Sequence, residues 1–156
     1  MYNLLVNVMQ LYMKTKKIYL ASSLDNESIE DMKKAQKILQ EKGFDVYAPI
    51  EHHVTNAWDY PNNEWGLMVF QSDIEAIKSC DYVVMLSYGR YSTAGANWEA
   101  GFAYGIGKKI IVVELTYNPM SLMVANGRYA SLRGIDALEN YDWENMPKTR
   151  TKTEQK

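Results

Sequence analysis

The segment YVVMLSYGRYSTAGANWEAGFAYGIG, residues 82–107, decides how this chain folds. Its first six residues are a continuous apolar run, introduced by Asp81, of the kind found at the centre of a parallel sheet covered on both faces. A loop from Tyr88 to Ala94 follows, and the remainder reads as a helix of small residues. Ala96, Ala100 and Ala103 share one helical face, so the backbone can press closely on a sheet. Among them stands one carboxylate, Glu99. Near a helix start the macrodipole is expected to favour its ionised form, which suits a group that attacks rather than donates a proton. The same placement also fits an acid that merely complements the dipole.

Outward from this unit the rhythm repeats. Ile18 to Ala21 reads as a buried strand and Ser22 to Glu27 as a turn. Asp25 or Asn26 then caps an amphipathic helix through Ile29, Met32, Ala35, Ile38 and Leu39, which Gly43 stops. Phe44 to Ala48 is the next strand, closed by Pro49. The connection Ile50 to Asn63, with His52, His53, Trp58 and Tyr60, is too long for a simple turn and reads as a lid, a substrate loop or a surface excursion. Trp65 to Ser79 is a second amphipathic helix, with Met68, Val69, Ile74 and Ile77 apolar and Asp73 amid the pattern. Lys109 to Leu115 makes a fourth strand, Met120 to Ala125 a short helix, and Asp136 to Trp143 a last helix or edge element. The order implies a parallel α/β sheet of about five strands with helices on both faces. Ligands in such sheets collect at the carboxyl ends of strands, which places Tyr88, Gly89, Ser92 and Thr93 where a site belongs.

The tails read differently. Met1 to Met13 carries an apolar stripe (Leu4, Leu5, Val8, Leu11, Tyr12), without the basic start or cleavage site of a signal peptide and too short to span a bilayer. It is either an extension ahead of a second start at Met13 or a surface that packs on a neighbouring subunit. After Pro147 the residues KTRTKTEQK have nothing to bury and are expected to be disordered. The expected organisation is one domain at 17–147, with an extension at 1–16 and a tail at 148–156.

Composition narrows the function classes. The 156 residues carry a net charge of -2, leaving no global basic field for a nucleic-acid polymer. The single cysteine, Cys80, forms neither an internal disulfide nor a thiolate metal cage, so the cytoplasm is the expected compartment and a core role the expected one for Cys80. The first strand-to-helix turn, Ala21-Ser22-Ser23, has neither a dinucleotide fingerprint nor a phosphate loop, and no G-x-S-x-G elbow occurs. The adjacent His52 and His53 lack metal-ligand spacing. Carboxylate chemistry remains, with Asp73 and Glu99 near strand ends and Tyr19 as an orienting hydroxyl.

The runs KIYLAS (17–22), EWGLMVFQSD (64–73), ANWEAGFAYGIGKK (96–109), SLM (121–123) and ENYDW (139–143), in that order and spacing, resemble the nucleoside 2-deoxyribosyltransferase family. The resemblance covers about Lys17 to Pro147. It implies a flavodoxin-like, Rossmann-like three-layer sandwich, assembled as a homodimer or larger homo-oligomer whose active sites borrow residues from a neighbour. It implies that Glu99 attacks the anomeric carbon of a 2-deoxynucleoside, that Tyr19 orients Glu99, and that Asp73 handles the proton at the nucleobase. His53 stands at the place of a base-contacting glutamine, and Met123 in the segment contributed across the subunit interface. No metal or organic cofactor is implied.

Two positions depart from the transferases that act on free nucleosides. Those enzymes usually carry an aspartate six residues before the nucleophile and an asparagine opening the later N-L-M segment; here Thr93 and Ser121 stand there. Both resemble the related 2-deoxynucleoside 5-phosphate N-hydrolases, because a hydroxyl can donate to a phosphate that a carboxylate would repel. Against that, no arginine follows the first strand, leaving Arg90 and Arg128 as the nearest basic candidates. The expected partners are therefore a nucleoside or nucleotide and a free nucleobase. Transfer is the favoured activity, with N-glycoside hydrolysis or non-catalytic nucleotide binding as alternatives.

Overall fold

A computed structural model describes residues 15–51 and 59–151. Strands β1 (Lys17–Ala21), β2 (Asp45–Tyr47), β3 (Tyr82–Ser87), β4 (Lys109–Glu114) and β5 (Ala130–Arg133) form one sheet in the order β2-β1-β3-β4-β5. Every pairing is parallel. Helices α1 (Asn26–Glu41), α2 (Asn62–Ser79), α3 (Ala94–Gly105), α4 (Leu122–Gly127) and α5 (Ala137–Asn140) connect the strands or follow them. This is the flavodoxin-like doubly wound order, and it reverses direction between β1 and β3, where such sheets open a crevice for ligands.

Alternation along the strands sorts the core into two layers. Ile18, Leu20, Val84, Leu86, Ile111 and Val113 point to one face, where Met32, Ala35, Ile38 and Leu39 of α1 and Leu138 of α5 cover them. Tyr19, Ala21, Val83, Met85, Ile110 and Val112 point to the other, under Ile77 of α2, Ala96, Ala100 and Ala103 of α3, and Val124 of α4. Asp25 caps α1 by accepting from the Ser28 amide at 2.9 Å. Gly43, at φ +89, takes the left-handed conformation that turns the chain after that helix. Cys80 is buried, as a core residue.

Two expectations need correction. The fifth strand is Ala130–Arg133, a stretch not assigned from sequence because four residues, ASLR, hold too short an apolar signal. Of the apolar residues read on α2, Ile77 is buried, Val69 and Ile74 are partly buried and Met68 is exposed, while Leu67 and Phe70 beside them are 54% and 49% exposed. The start of the tail is held rather than disordered. The Ser131 amide donates to the Thr149 carbonyl at 3.0 Å, the Thr149 hydroxyl donates to the Ser131 carbonyl at 3.0 Å, and the Thr151 amide donates to the Ser131 hydroxyl at 3.1 Å. An edge strand offers unpaired backbone groups, so the tail needs no apolar side chain to be fixed there. The expectations for residues 1–14 and 152–156 lie outside the described residues.

Candidate active site

The site begins with two tyrosines. Parallel register sets Tyr19 of β1 beside Tyr47 of β2, and their rings stack with centroids 5.5 Å apart and planes 15° apart. The Tyr47 hydroxyl donates to the Asp73 carboxylate of α2 at 3.1 Å. Tyr19 is fully buried, and its hydroxyl lies beside Glu99 without closing a hydrogen bond of normal geometry on any described residue. Burial first, and then the Glu99 and Asp73 carboxylates, push the Tyr19 phenol far above its usual pKa. Burial and Asp73 do the same for Tyr47. Both hydroxyls therefore stay protonated and remain donors.

Glu99 behaves differently from its sequence expectation. It is the sixth residue of α3, beyond the first turn where the dipole acts strongly, so the expected preference for the ionised form is overridden. Burial, and after it the neighbouring Asp73 charge, raise the Glu99 carboxyl to about 7, with the Tyr19 hydroxyl pulling the other way. A carboxyl titrating there is ionised in part at neutral pH and is a stronger base than an exposed glutamate. The small face of α3 explains the position: Ala96, Ala100 and Ala103 let the helix approach the sheet closely enough to sink Glu99 beside Tyr19.

Thr93 and Ser121 are both engaged as helix N-caps. The Thr93 hydroxyl accepts from the Ala96 amide at 3.3 Å and the Ser121 hydroxyl from the Val124 amide at 3.2 Å. Each keeps its proton to donate. Gly89 is buried at φ +64, and a Cβ there would come within 2.3 Å of the Asn118 carbonyl oxygen. Its glycine is thus explained by loop packing. Met123 is 84% exposed on α4, beside an apolar cavity of about 330 Å³ between α3 and α4 that Asn97, Gly101 and Tyr104 also line. His53 lies outside the described residues. The structure thus brings Tyr19, Asp73 and Glu99 together and places Gly89 and Met123 in other surroundings.

Two residues escaped the sequence reading. Tyr47 carries the hydrogen bond to Asp73, and its signal was its register opposite Tyr19. Ser22, just past β1, is buried with no partner for its hydroxyl among the described residues, as is Tyr19. A buried unpaired hydroxyl costs about 1–3 kcal/mol, so one within β1 and one just past its end mark places shaped for something other than folding. In ENYDW, by contrast, the two aromatics serve the core: Trp143 packs edge-on to Phe44 and Tyr141 at 4.9 and 5.0 Å, and the Tyr141 hydroxyl donates to the Pro147 carbonyl. Among the described residues no group of three His, Cys, Asp or Glu side chains is arranged to hold a metal. Nor is any described helix long and apolar enough to cross a membrane.

Residues 18–139 match the family model described as nucleoside 2-deoxyribosyltransferase. No protein of curated function matches the chain. Among solved structures, the chain is similar to a 2-deoxyribosyltransferase of the psychrotolerant bacterium Bacillus psychrosaccharolyticus, with a TM-score of 0.80 and 29% identity over 86% of this chain and 98% of that one. It shares its fold with a CMP N-glycosidase of Clostridium botulinum at a TM-score of 0.61 and 20% identity, over 81% of this chain and 100% of that one. A conserved protein of Enterococcus faecalis V583 shares it at a TM-score of 0.56 and 19% identity, over 90% and 94% of the two chains.

Proposed function

Because the chain belongs to the nucleoside 2-deoxyribosyltransferase family, we propose that it cleaves the N-glycosidic bond of a 2-deoxynucleoside and transfers the sugar to another nucleobase. A Glu99 carboxylate oxygen attacks the anomeric carbon. The carbon–nitrogen bond breaks with its electron pair going to the base, and Asp73 delivers a proton there. The resulting deoxyribosyl ester is opened by the nitrogen of an incoming base, which returns the carboxylate to Glu99 and a proton to Asp73. The transition state places positive charge on the sugar and negative charge on the leaving base, so a carboxylate under one and a proton donor near the other act on both.

The observation that carries this reading is the grouping of Glu99 and Asp73, from two helices, around the buried Tyr19 and the partly buried Tyr47 stacked on it from the adjoining strand, which raises the Glu99 carboxyl. Tyr47 holds Asp73 by its hydrogen bond and so acts as a positioning residue. The reading includes a second copy of the chain: Phe70, Trp98 and Phe102 form a contiguous aromatic group across α2 and α3, with Phe70 and Trp98 half exposed. An exposed apolar surface of this kind marks an interface. It supports the proposed homo-oligomer of a cytoplasmic transferase, whose shared site Met123 and Ser121 of a neighbour would complete.

The test is base exchange between deoxyinosine and free adenine. Wild-type protein forms deoxyadenosine, with kcat/KM falling above about pH 7, where the coupled Glu99 and Asp73 pair loses the single proton that Asp73 must deliver to the base. Glu99→Ala lowers the rate by about 10³-fold or more. Full activity in that variant would remove Glu99 from the chemistry.

A second reading rests on Thr93 and Ser121, whose hydroxyls retain donors where a carboxylate or amide is usual in the transferases. Hydrolysis of a 2-deoxynucleoside 5-monophosphate, with no exchange of the free nucleoside, would establish it. Neither reaction, together with a rise in melting temperature on adding nucleotide, would leave a binding module.

A further inference from the structure

At the amino-terminal rim of the sheet, the far end of six-residue β4 from its loop side, a cavity of about 260 Å³ opens where α3, α4 and the carboxy-terminal tail meet. Five of its ten lining residues are Lys108, Lys109, Arg128, Lys148 and Arg150, and none is acidic. The whole chain carries a net charge of -2, so this is a local concentration of cations rather than the average surface.

Much of their hydrogen bonding goes to neutral carbonyls. Lys108 donates to the Lys78 and Cys80 carbonyls at 2.8 and 2.6 Å. Arg128 donates to the Ala125 carbonyl and, at 3.2 Å, to the Ser131 hydroxyl. Arg150 reaches the Tyr129, Thr149 and Arg128 carbonyls at 2.6, 3.2 and 3.3 Å. Such bonds satisfy backbone carbonyls but cancel no charge. The Lys109 and Lys148 ammonium groups stand 4.7 and 5.4 Å from the centre of the Tyr129 ring. The acid whose field reaches Arg128 is Glu114, already held by Arg133 at 2.8 Å and by the Thr151 hydroxyl. Burial and the facing Arg150 charge both hold the Arg128 guanidinium below its usual pKa.

We propose that this cavity binds an oligophosphate, two or three linked phosphate groups, at a site separate from the one built on Glu99. A phosphate monoester carries about -1.5 to -2 at neutral pH, too little to balance five cations, whereas a linked pair or triplet comes closer. Arginines beside lysines supply the planar and point-charge donors that phosphate oxygens take. The Tyr129 ring already receives two ammonium groups, so the recognised part is the phosphate chain rather than a stacked base. Two sources share that chemistry, a free inorganic oligophosphate and the terminal phosphates of a nucleoside triphosphate.

The proposal is tested by titrating full-length protein calorimetrically at low salt with inorganic triphosphate, ATP, orthophosphate and a single-stranded RNA oligonucleotide. The comparison variant combines Lys109→Ala with Lys148→Ala, two exposed side chains outside the Glu99 site that leave base exchange unchanged. Expected are one triphosphate bound per chain, tenfold or more weaker binding in the variant, and weaker binding of orthophosphate. ATP equal to triphosphate identifies a nucleotide's phosphates as the ligand; ATP markedly weaker identifies the free oligophosphate. No triphosphate binding, equal binding by both proteins, or RNA bound more tightly than triphosphate through the same lysines overturns the proposal. Each of these results is independent of whether Glu99→Ala retains base exchange.

Discussion

The two faces of the sheet are built from alternate residues of the same strands, yet they solve different problems. On the α1 and α5 face the strands contribute Ile18, Leu20, Val84, Leu86, Ile111 and Val113, with Phe44, Tyr82 and Trp143 packed at the margin. On the α3 face the covering residues shrink to alanines, and the space holds Tyr19, Glu99 and Asp73, with a carboxyl pushed up to about 7 and a phenol without a hydrogen-bond partner among the described residues. One face gains stability from burial. The other gives some back, because desolvating a carboxylate beside a like charge is unfavourable.

Loss of function and loss of stability should therefore separate by face. Leu86→Ala, on the dry face, removes a fully buried side chain and is expected to cost about 2–5 kcal/mol. Urea unfolding measures that cost, and base exchange per folded molecule should stay at the wild-type value. A Leu86→Ala protein with native stability, or one that is folded but inactive, would mean the two faces are not independent.

Glu99→Gln sharpens the contrast from the other side. The folded carboxyl titrates near 7 against 4.5 for an ordinary glutamate, so the folded state binds the proton more tightly. That group's contribution is most favourable below about pH 4.5 and is lost as pH rises through 7, where the ionised side chain is destabilising by up to about 3 kcal/mol. The amide cannot ionise. The variant should be more stable than wild type at pH 8, the difference should vanish toward pH 4.5, and base exchange should be lost throughout. Melting curves at several pH values decide it: a constant difference would show that Glu99 titrates normally.

How much of this was legible in sequence follows the same division. β3 is marked by an unbroken apolar run, and the close approach of α3 by Ala96, Ala100 and Ala103; both depend on side chains that announce themselves locally. β5 carries ASLR and takes its place by pairing with β4 at Ile111 to Glu114, which no local pattern records. The tail from Thr149 is held mainly through backbone groups, to which composition is blind. At the site, Tyr19, Asp73 and Glu99 could be named, but the direction of the Glu99 shift was misjudged because helix position was weighed without burial. Tyr47 was missed because its role comes from a neighbouring strand. The EWGLMVFQSD run was read as part of an amphipathic helix, but periodicity did not show that Trp65, Leu67, Met68 and Phe70 would stand exposed.

The smallest expected effect is the most discriminating. Tyr19 is buried like any core residue, and if its ring alone mattered, Tyr19→Phe would be silent in every assay. Its hydroxyl has no hydrogen-bond partner among the described residues, so removing it should leave stability within about 1 kcal/mol of wild type, on the favourable side if anything. The same hydroxyl favours the ionised form of Glu99. Without it the alkaline fall of kcat/KM should move to higher pH, and the rate at pH 6 should fall more than the rate at pH 9. A uniform drop at all pH values would instead show Tyr19 acting only on substrate position. An unchanged profile would return the residue to the dry logic of the opposite face, as a ring that happens to end in oxygen.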